Sequence, residues 1–115
     1  MLTGSHILGD IHTHDVKKLQ GLRKTKFFIS KTLKKFHLHE LGNFYHQFDN
    51  SGFTGIISLT ESHIAIHTWP EFEYLTLDIY LCNYSKNNTA ITKAVFREIS
   101  NYFSPVKVKK IIVNR

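Results

Sequence analysis

From residue 74 to residue 82 the chain alternates without a break. Leu75, Leu77, Ile79 and Leu81 are apolar, and Tyr74, Thr76, Asp78, Tyr80 and Cys82 fall between them. A period of two predicts a half-buried strand. Residues 63–69 alternate in the opposite parity: Ile64 and Ile66 are apolar, while His63, Ala65 and His67 share the other face. A turn at Pro70–Glu73 sets Trp69 opposite Tyr74. The polar faces of the two strands then coincide, which supports that register. In it His67 faces Thr76, His63 faces Tyr80, and Cys82 lies beside Glu61 and Ser62.

The remaining elements follow from the same kind of pattern. HILGDIHTH, residues 5–13, reads as a strand. Residues 24–38 read as a helix, with Phe28, Ile29, Leu33 and Phe36 near helical spacing and lysines opposite. Residues 40–48 and 53–61 are expected strands joined by the turn-forming DNSG at 49–52. Asn88 or Thr89 caps a helix whose stripe is Ile91, Val95, Ile99, Tyr102 and Phe103. Pro105 stops it, and VKVKKIIVN at 106–114 closes the chain as a strand. The order β-α-β-β followed by β-β-α-β predicts an α+β two-layer sandwich over a single domain, 1–115. Its sheet is mostly antiparallel, with two helices on one face.

Composition narrows the function classes. The 115 residues are 42% hydrophobic and 13% aromatic, globular material with room for one core. No apolar run reaches the ~18 residues of a membrane span, and MLTGSHILGD lacks the basic-then-apolar pattern of a signal peptide. Cys82 is the one cysteine, which excludes an internal disulfide. A cytoplasmic protein without a membrane partner is expected. The net charge of +6 comes from lysines and arginines crowding 17–35 and 107–115. Such a balance permits binding to nucleic acid or acidic surfaces. The basic residues do not alternate with exposed aromatics as a single-strand or RNA-binding surface would require, so they read as solvated helix faces.

The unusual stretch is LTESHIAIHTWPEF, residues 59–72. Ser62 stands between an acid and a histidine in a strand whose task should be burial. A hydrolase nucleophile there lacks the G-x-S-x-G context. Cys82 is either an inert buried thiol or a nucleophile or acid near histidine. His12/His14, His37/His39 and His63/His67 are spaced as paired metal ligands. Neither CxxC nor HExxH accompanies them, and no metal is expected.

Thr60–Glu71, T-E-S-H-I-x-I-H-T-W-P-E, with D-I-Y-x-C at Asp78–Cys82, resembles the prokaryotic S-adenosylmethionine decarboxylase proenzymes. So do G-x-H at Gly4–His6 and the run Phe48, Gly52, Thr54, Gly55. The resemblance implies a chain that cuts itself between Glu61 and Ser62, into a β chain of 1–61 and an α chain of 62–115. Ser62 would become a covalent pyruvoyl group, the cofactor on which the substrate amine condenses as a Schiff base. His67 would be the processing acid or base, Thr54 the hydroxyl that assists the acyl shift, and Cys82 the proton donor to the carbanion. Phe48, Trp69, Glu71 and His67 would bind a small-molecule substrate, and the enzyme would be a homodimer with sites shared between protomers. The decarboxylated product would supply the aminopropyl donor of polyamine (spermidine) synthesis. A cut beside Ser62 also requires the backbone at 60–62 to leave regular strand geometry.

Two departures bear on the substrate. Where the family runs Y-G-Y-A-A after Pro70-Glu71, this chain has Phe72, Glu73, Tyr74, Leu75, Thr76. Where glycine and acids follow the cysteine, it has Asn83, Tyr84, Ser85, Lys86. Pyruvoyl-dependent arginine or ornithine decarboxylation therefore stays open as an alternative. So does a homologue that is never cut and serves as a binding protein.

Overall fold

The computed structural model describes residues 3–49, 51–83 and 86–115. Six strands form one antiparallel sheet: β1 (Gly4–Thr13), β2 (Glu40–Gln47), β3 (Phe53–Leu59), β4 (Ser62–Trp69), β5 (Tyr74–Cys82) and β6 (Pro105–Asn114). Their order across it is β2-β3-β4-β5-β1-β6. Three helices, α1 (Val16–Gln20), α2 (Leu22–Lys35) and α3 (Thr89–Tyr102), complete the α+β sandwich. The β4–β5 register is the expected one: His63 pairs with Tyr80, His67 with Thr76 and Trp69 with Tyr74.

The differences from the sequence reading are local. The helix α1 was not expected. Its start is fixed by Asp15, whose side chain accepts the Lys18 amide at 3.2 Å, and five residues are too few to show a period. The strand expected over 53–61 ends at Leu59, because Thr60 and Glu61 turn the chain into β4. Asn50, inside the expected DNSG turn, lies outside the described residues, as do Tyr84 and Ser85.

One face of the sheet is the core. Ile7, Ile11, Ile57, Ile64, Ile66, Leu75, Leu77, Ile79 and Leu81 are buried against Leu19, Ile29, Leu33, Val95, Phe96, Ile99 and Phe103 of the helices and the residue after α3. Each such burial contributes about 1.5–3 kcal/mol, which is why the odd positions of β5 decide its orientation. The opposite face carries no helix. Cross-strand pairing lines up Phe44, Ile56, Ala65, Asp78, Leu8 and Ile111 in one row across all six strands. Of these, Phe44, Ile56, Leu8 and Ile111 are exposed large apolar residues.

The helix layer sits close to the sheet at Gly9. A Cβ built there would lie 2.5 Å from the Phe96 ring, which is itself buried. Gly9→Ala is therefore expected to lower stability by about 1–3 kcal/mol through overpacking. Thermal melts of the two chains check this, and an unchanged melting temperature would contradict it.

Candidate active site

Between β3 and β4 the chain must reverse in two residues, Thr60 and Glu61. Ser62 absorbs the cost with φ = 123°. The other positive-φ non-glycine residues among those described, His37, Ser51, Glu73 and Ser104, have φ from 51° to 76°, in or near the αL region that turns use. Ser62 lies well outside it, in a conformation that costs an L-residue on the order of 1–3 kcal/mol. What holds it is tertiary. The Cys82 backbone N–H donates to the Glu61 carbonyl oxygen at 2.9 Å. Glu61 is thus pinned on one side of the peptide bond and β4 on the other. In regular strand geometry Ser62 and His63 would point to opposite faces. Here the Ser62 Oγ lies 3.4 Å from His63 Nδ1.

Around that point the uncovered sheet face is polar and aromatic. His63, Tyr80 and His6 form a triangle with ring centroids 5.5 to 6.0 Å apart. The Tyr80 hydroxyl lies 2.8 Å from Thr3 Oγ1. Burial lowers the His6 pKa, with the nearby Asp78 pulling the other way and His63 and Arg115 adding to the drop. His6 Nε2 is buried without a protein partner, which favours the neutral ring further.

A second cluster sits at the far end of β4. His67 Nδ1 lies 2.6 Å from Thr54 Oγ1, its cross-strand neighbour on β3. Phe48, Phe53, His67, Thr68 and Trp69 line a cleft of about 260 Å³. Trp69 packs on Tyr74 at 5.5 Å, and Tyr74 on His12 at 5.0 Å. Burial raises the Tyr74 pKa, helped by a hydrogen bond to Asp10. Glu71 stands exposed on the single turn Pro70–Phe72 immediately beyond Trp69, with Pro70 buried beneath it.

The expected site residues therefore fall into two groups. Glu61, Ser62 and Cys82 come together at one end of the β4–β5 hairpin. Thr54, His67, Phe48 and Trp69 come together at the other, with Glu71 beside them. Five residue steps of extended strand take Ser62 to His67, about 16 Å at roughly 3.3 Å per residue. Within one protomer the serine and the histidine do not meet. Sequence reasoning also passed over Asn88, expected only as a helix cap. Its side-chain amide donates to the Glu61 carboxylate and, at 2.8 Å, to the Cys82 carbonyl.

Comparison with known proteins gives the family. The S-adenosylmethionine decarboxylase family model matches residues 5–115. An S-adenosylmethionine decarboxylase proenzyme of Sulfurihydrogenibium sp. is 42% identical over 79 residues, 69% of this chain and 59% of the relative, so the match spans less than two thirds of that protein. The proenzyme of Archaeoglobus fulgidus is 28% identical over 115 residues, 100% of this chain and 99% of the relative. The crystal structure of the adenosylmethionine decarboxylase from Aquifex aeolicus superposes with a TM-score of 0.88 at 29% identity, covering 99% of this chain and 91% of that one. By sequence along nearly its whole length, and by fold, the chain belongs to the S-adenosylmethionine decarboxylase family.

Proposed function

We propose that this chain is a self-processing, pyruvoyl-dependent decarboxylase of S-adenosylmethionine, cut between Glu61 and Ser62. The observation that carries the reading is the Glu61–Ser62 peptide itself. Its serine is strained, and its carbonyl oxygen already accepts a backbone N–H. Attack of Ser62 Oγ on the Glu61 carbonyl carbon forms an ester and breaks the C–N bond, freeing the Ser62 amine. In the tetrahedral intermediate between attack and C–N cleavage, negative charge sits on the oxygen that the Cys82 N–H faces, as an oxyanion donor requires. Loss of the strain at Ser62 favours the same step. Removal of the Ser62 Cα proton next expels the Glu61 carboxylate and leaves dehydroalanine. Its tautomer hydrolyses with release of ammonia, and residue 62 becomes a pyruvoyl group at the head of the 62–115 chain.

That group supplies a ketone in conjugation with an amide, an electron sink for loss of carbon dioxide from an α-amino acid. The chain's own residues do the rest. Phe48 and Trp69 line the cleft and offer aromatic rings for stacking a flat heterocycle. Glu71, next to them, offers a carboxylate to hydroxyl groups. Cys82, beside residue 62, returns a proton to the substrate carbon.

The two halves of the site complete each other in a homodimer. Both lie on the sheet face that no helix covers, on either side of the row through Ile56, Ala65, Asp78 and Leu8, apolar but for Asp78. A two-fold axis near Ala65–Ile66 on β4 would lay the Ser62 end of one protomer on the Trp69 end of its partner. An isologous interface of this kind buries the exposed row and brings His67 and Thr54 of the partner to Ser62. A lone reduced cysteine in a catalytic role fits the cytoplasm.

Carboxyl-labelled S-adenosylmethionine tests the substrate directly. Label is expected to leave as carbon dioxide from it, and release only from arginine or ornithine would refute the assignment. Cys82→Ala should leave self-cleavage largely intact while turnover drops at least about a hundred-fold. Parallel loss of both would contradict the separate role of the thiol. The shared site is tested by co-expression of Ser62→Ala with His67→Ala. A site built from two protomers predicts that the His67→Ala chain is cut only in the mixture, and no cleavage there would show that both residues act within one chain.

A further inference from the structure

The start of α3 is built in an unusual way. Asn88 is its N-cap residue, and asparagine is favoured there because its side-chain oxygen accepts an amide of the first turn. Asn88 makes no such bond. The first-turn amide of Thr89 is taken by Asn87 Oδ1 at 3.0 Å instead. Asn88 is fully buried and turned back toward the end of β5. Both side-chain N–H groups are spent there, one on the Glu61 carboxylate and one on the Cys82 carbonyl. The opposite amide orientation would set an oxygen against both acceptors, so chemistry fixes which atom points where. The residue itself is held from both sides. Its backbone N–H donates to Asn83 Oδ1 at 2.7 Å, and its carbonyl accepts the Thr92 amide at 2.8 Å and the Thr92 hydroxyl at 2.7 Å.

The two acceptors belong to the two residues whose backbones meet at the scissile bond. Cys82 gives its N–H to the Glu61 carbonyl, and Asn88 ties the Cys82 carbonyl to the Glu61 side chain. We propose that Asn88 is a positioning residue for self-cleavage: its amide clamps Glu61 to Cys82 and so keeps the Cys82 N–H aimed at the carbonyl oxygen that becomes negative. It touches neither the serine hydroxyl nor the reacting carbon. The inference rests on the self-processing reading above and adds to it a residue on α3, outside the hairpin motif. Losing a hydrogen bond to a charged group at this point is expected to slow cleavage about ten- to a hundred-fold.

Time courses of cleavage at 61/62, read on denaturing gels across pH 5 to 8, test it. Asn88→Asp sets a second carboxyl against Glu61. At pH 8 it should be cut about ten- to a hundred-fold more slowly than wild type. Burial beside a like charge raises the pKa of the introduced carboxyl, so the deficit should shrink toward pH 5, where it regains a proton to donate. In N88D/E61Q the glutamine amide donates to the introduced carboxylate. That removes the repulsion between the two carboxylates, so part of the deficit at pH 8 should vanish, while the Cys82 carbonyl still lacks its donor and the remainder should persist. Asn88→Ser keeps a good helix-starting residue and should retain the wild-type helix content by circular dichroism while cutting slowly. Wild-type rates in N88D and N88S, or a deficit that neither acid nor E61Q relieves, would overturn the role of Asn88. An uncut wild-type chain would instead refute the self-processing reading itself.

Discussion

One hydrogen bond, from the Cys82 amide to the Glu61 carbonyl oxygen, holds Ser62 in backbone geometry that its side chain disfavours. Around it the rest of the site is arranged. The antiparallel β4–β5 register puts Cys82 next to Glu61, and the buried odd positions of β5 set that register. Slipping the hairpin by one residue would turn Leu75, Leu77, Ile79 and Leu81 to the open face, at a cost of several kcal/mol. The hydrophobic core therefore fixes the geometry of the Glu61–Ser62 peptide. The strain stored at Ser62 is small beside what that core supplies.

The same sheet explains why the two clusters lie apart. A flat array of strands cannot fold back on itself to bring the two ends of β4 together. In the proposed dimer a second copy would do so by stacking face to face. Between the two clusters the uncovered face carries the row Phe44, Ile56, Ala65, Asp78, Leu8 and Ile111, apolar but for Asp78. At the Ser62 end, burial holds the His6 pKa down beside Tyr80 and His63.

Much of this was legible in the sequence, for identifiable reasons. Period-two alternation with opposed parity in 63–69 and 74–82 was enough to place Cys82 beside Ser62. The motif around Ser62 was enough to demand irregular backbone there. The helix α1 left no period, and the early end of β3 depended on where the reversal fell. Asn88 was read as a cap because an asparagine before an apolar stripe satisfies local rules in either role. Only the tertiary approach of Glu61 decides between them. The separation of Ser62 from His67 was countable along β4, yet a motif names residues together without giving the distance between them.

The central claim, that the backbone breaks at one strained serine and leaves a ketone there, is open to direct weighing. Intact mass spectrometry of the purified full-length chain is the measurement. The account predicts two species, residues 1–61 with a free carboxyl terminus and residues 62–115 beginning in pyruvoyl. A single species with the mass of the unbroken chain, stable on long incubation at neutral pH, would contradict it.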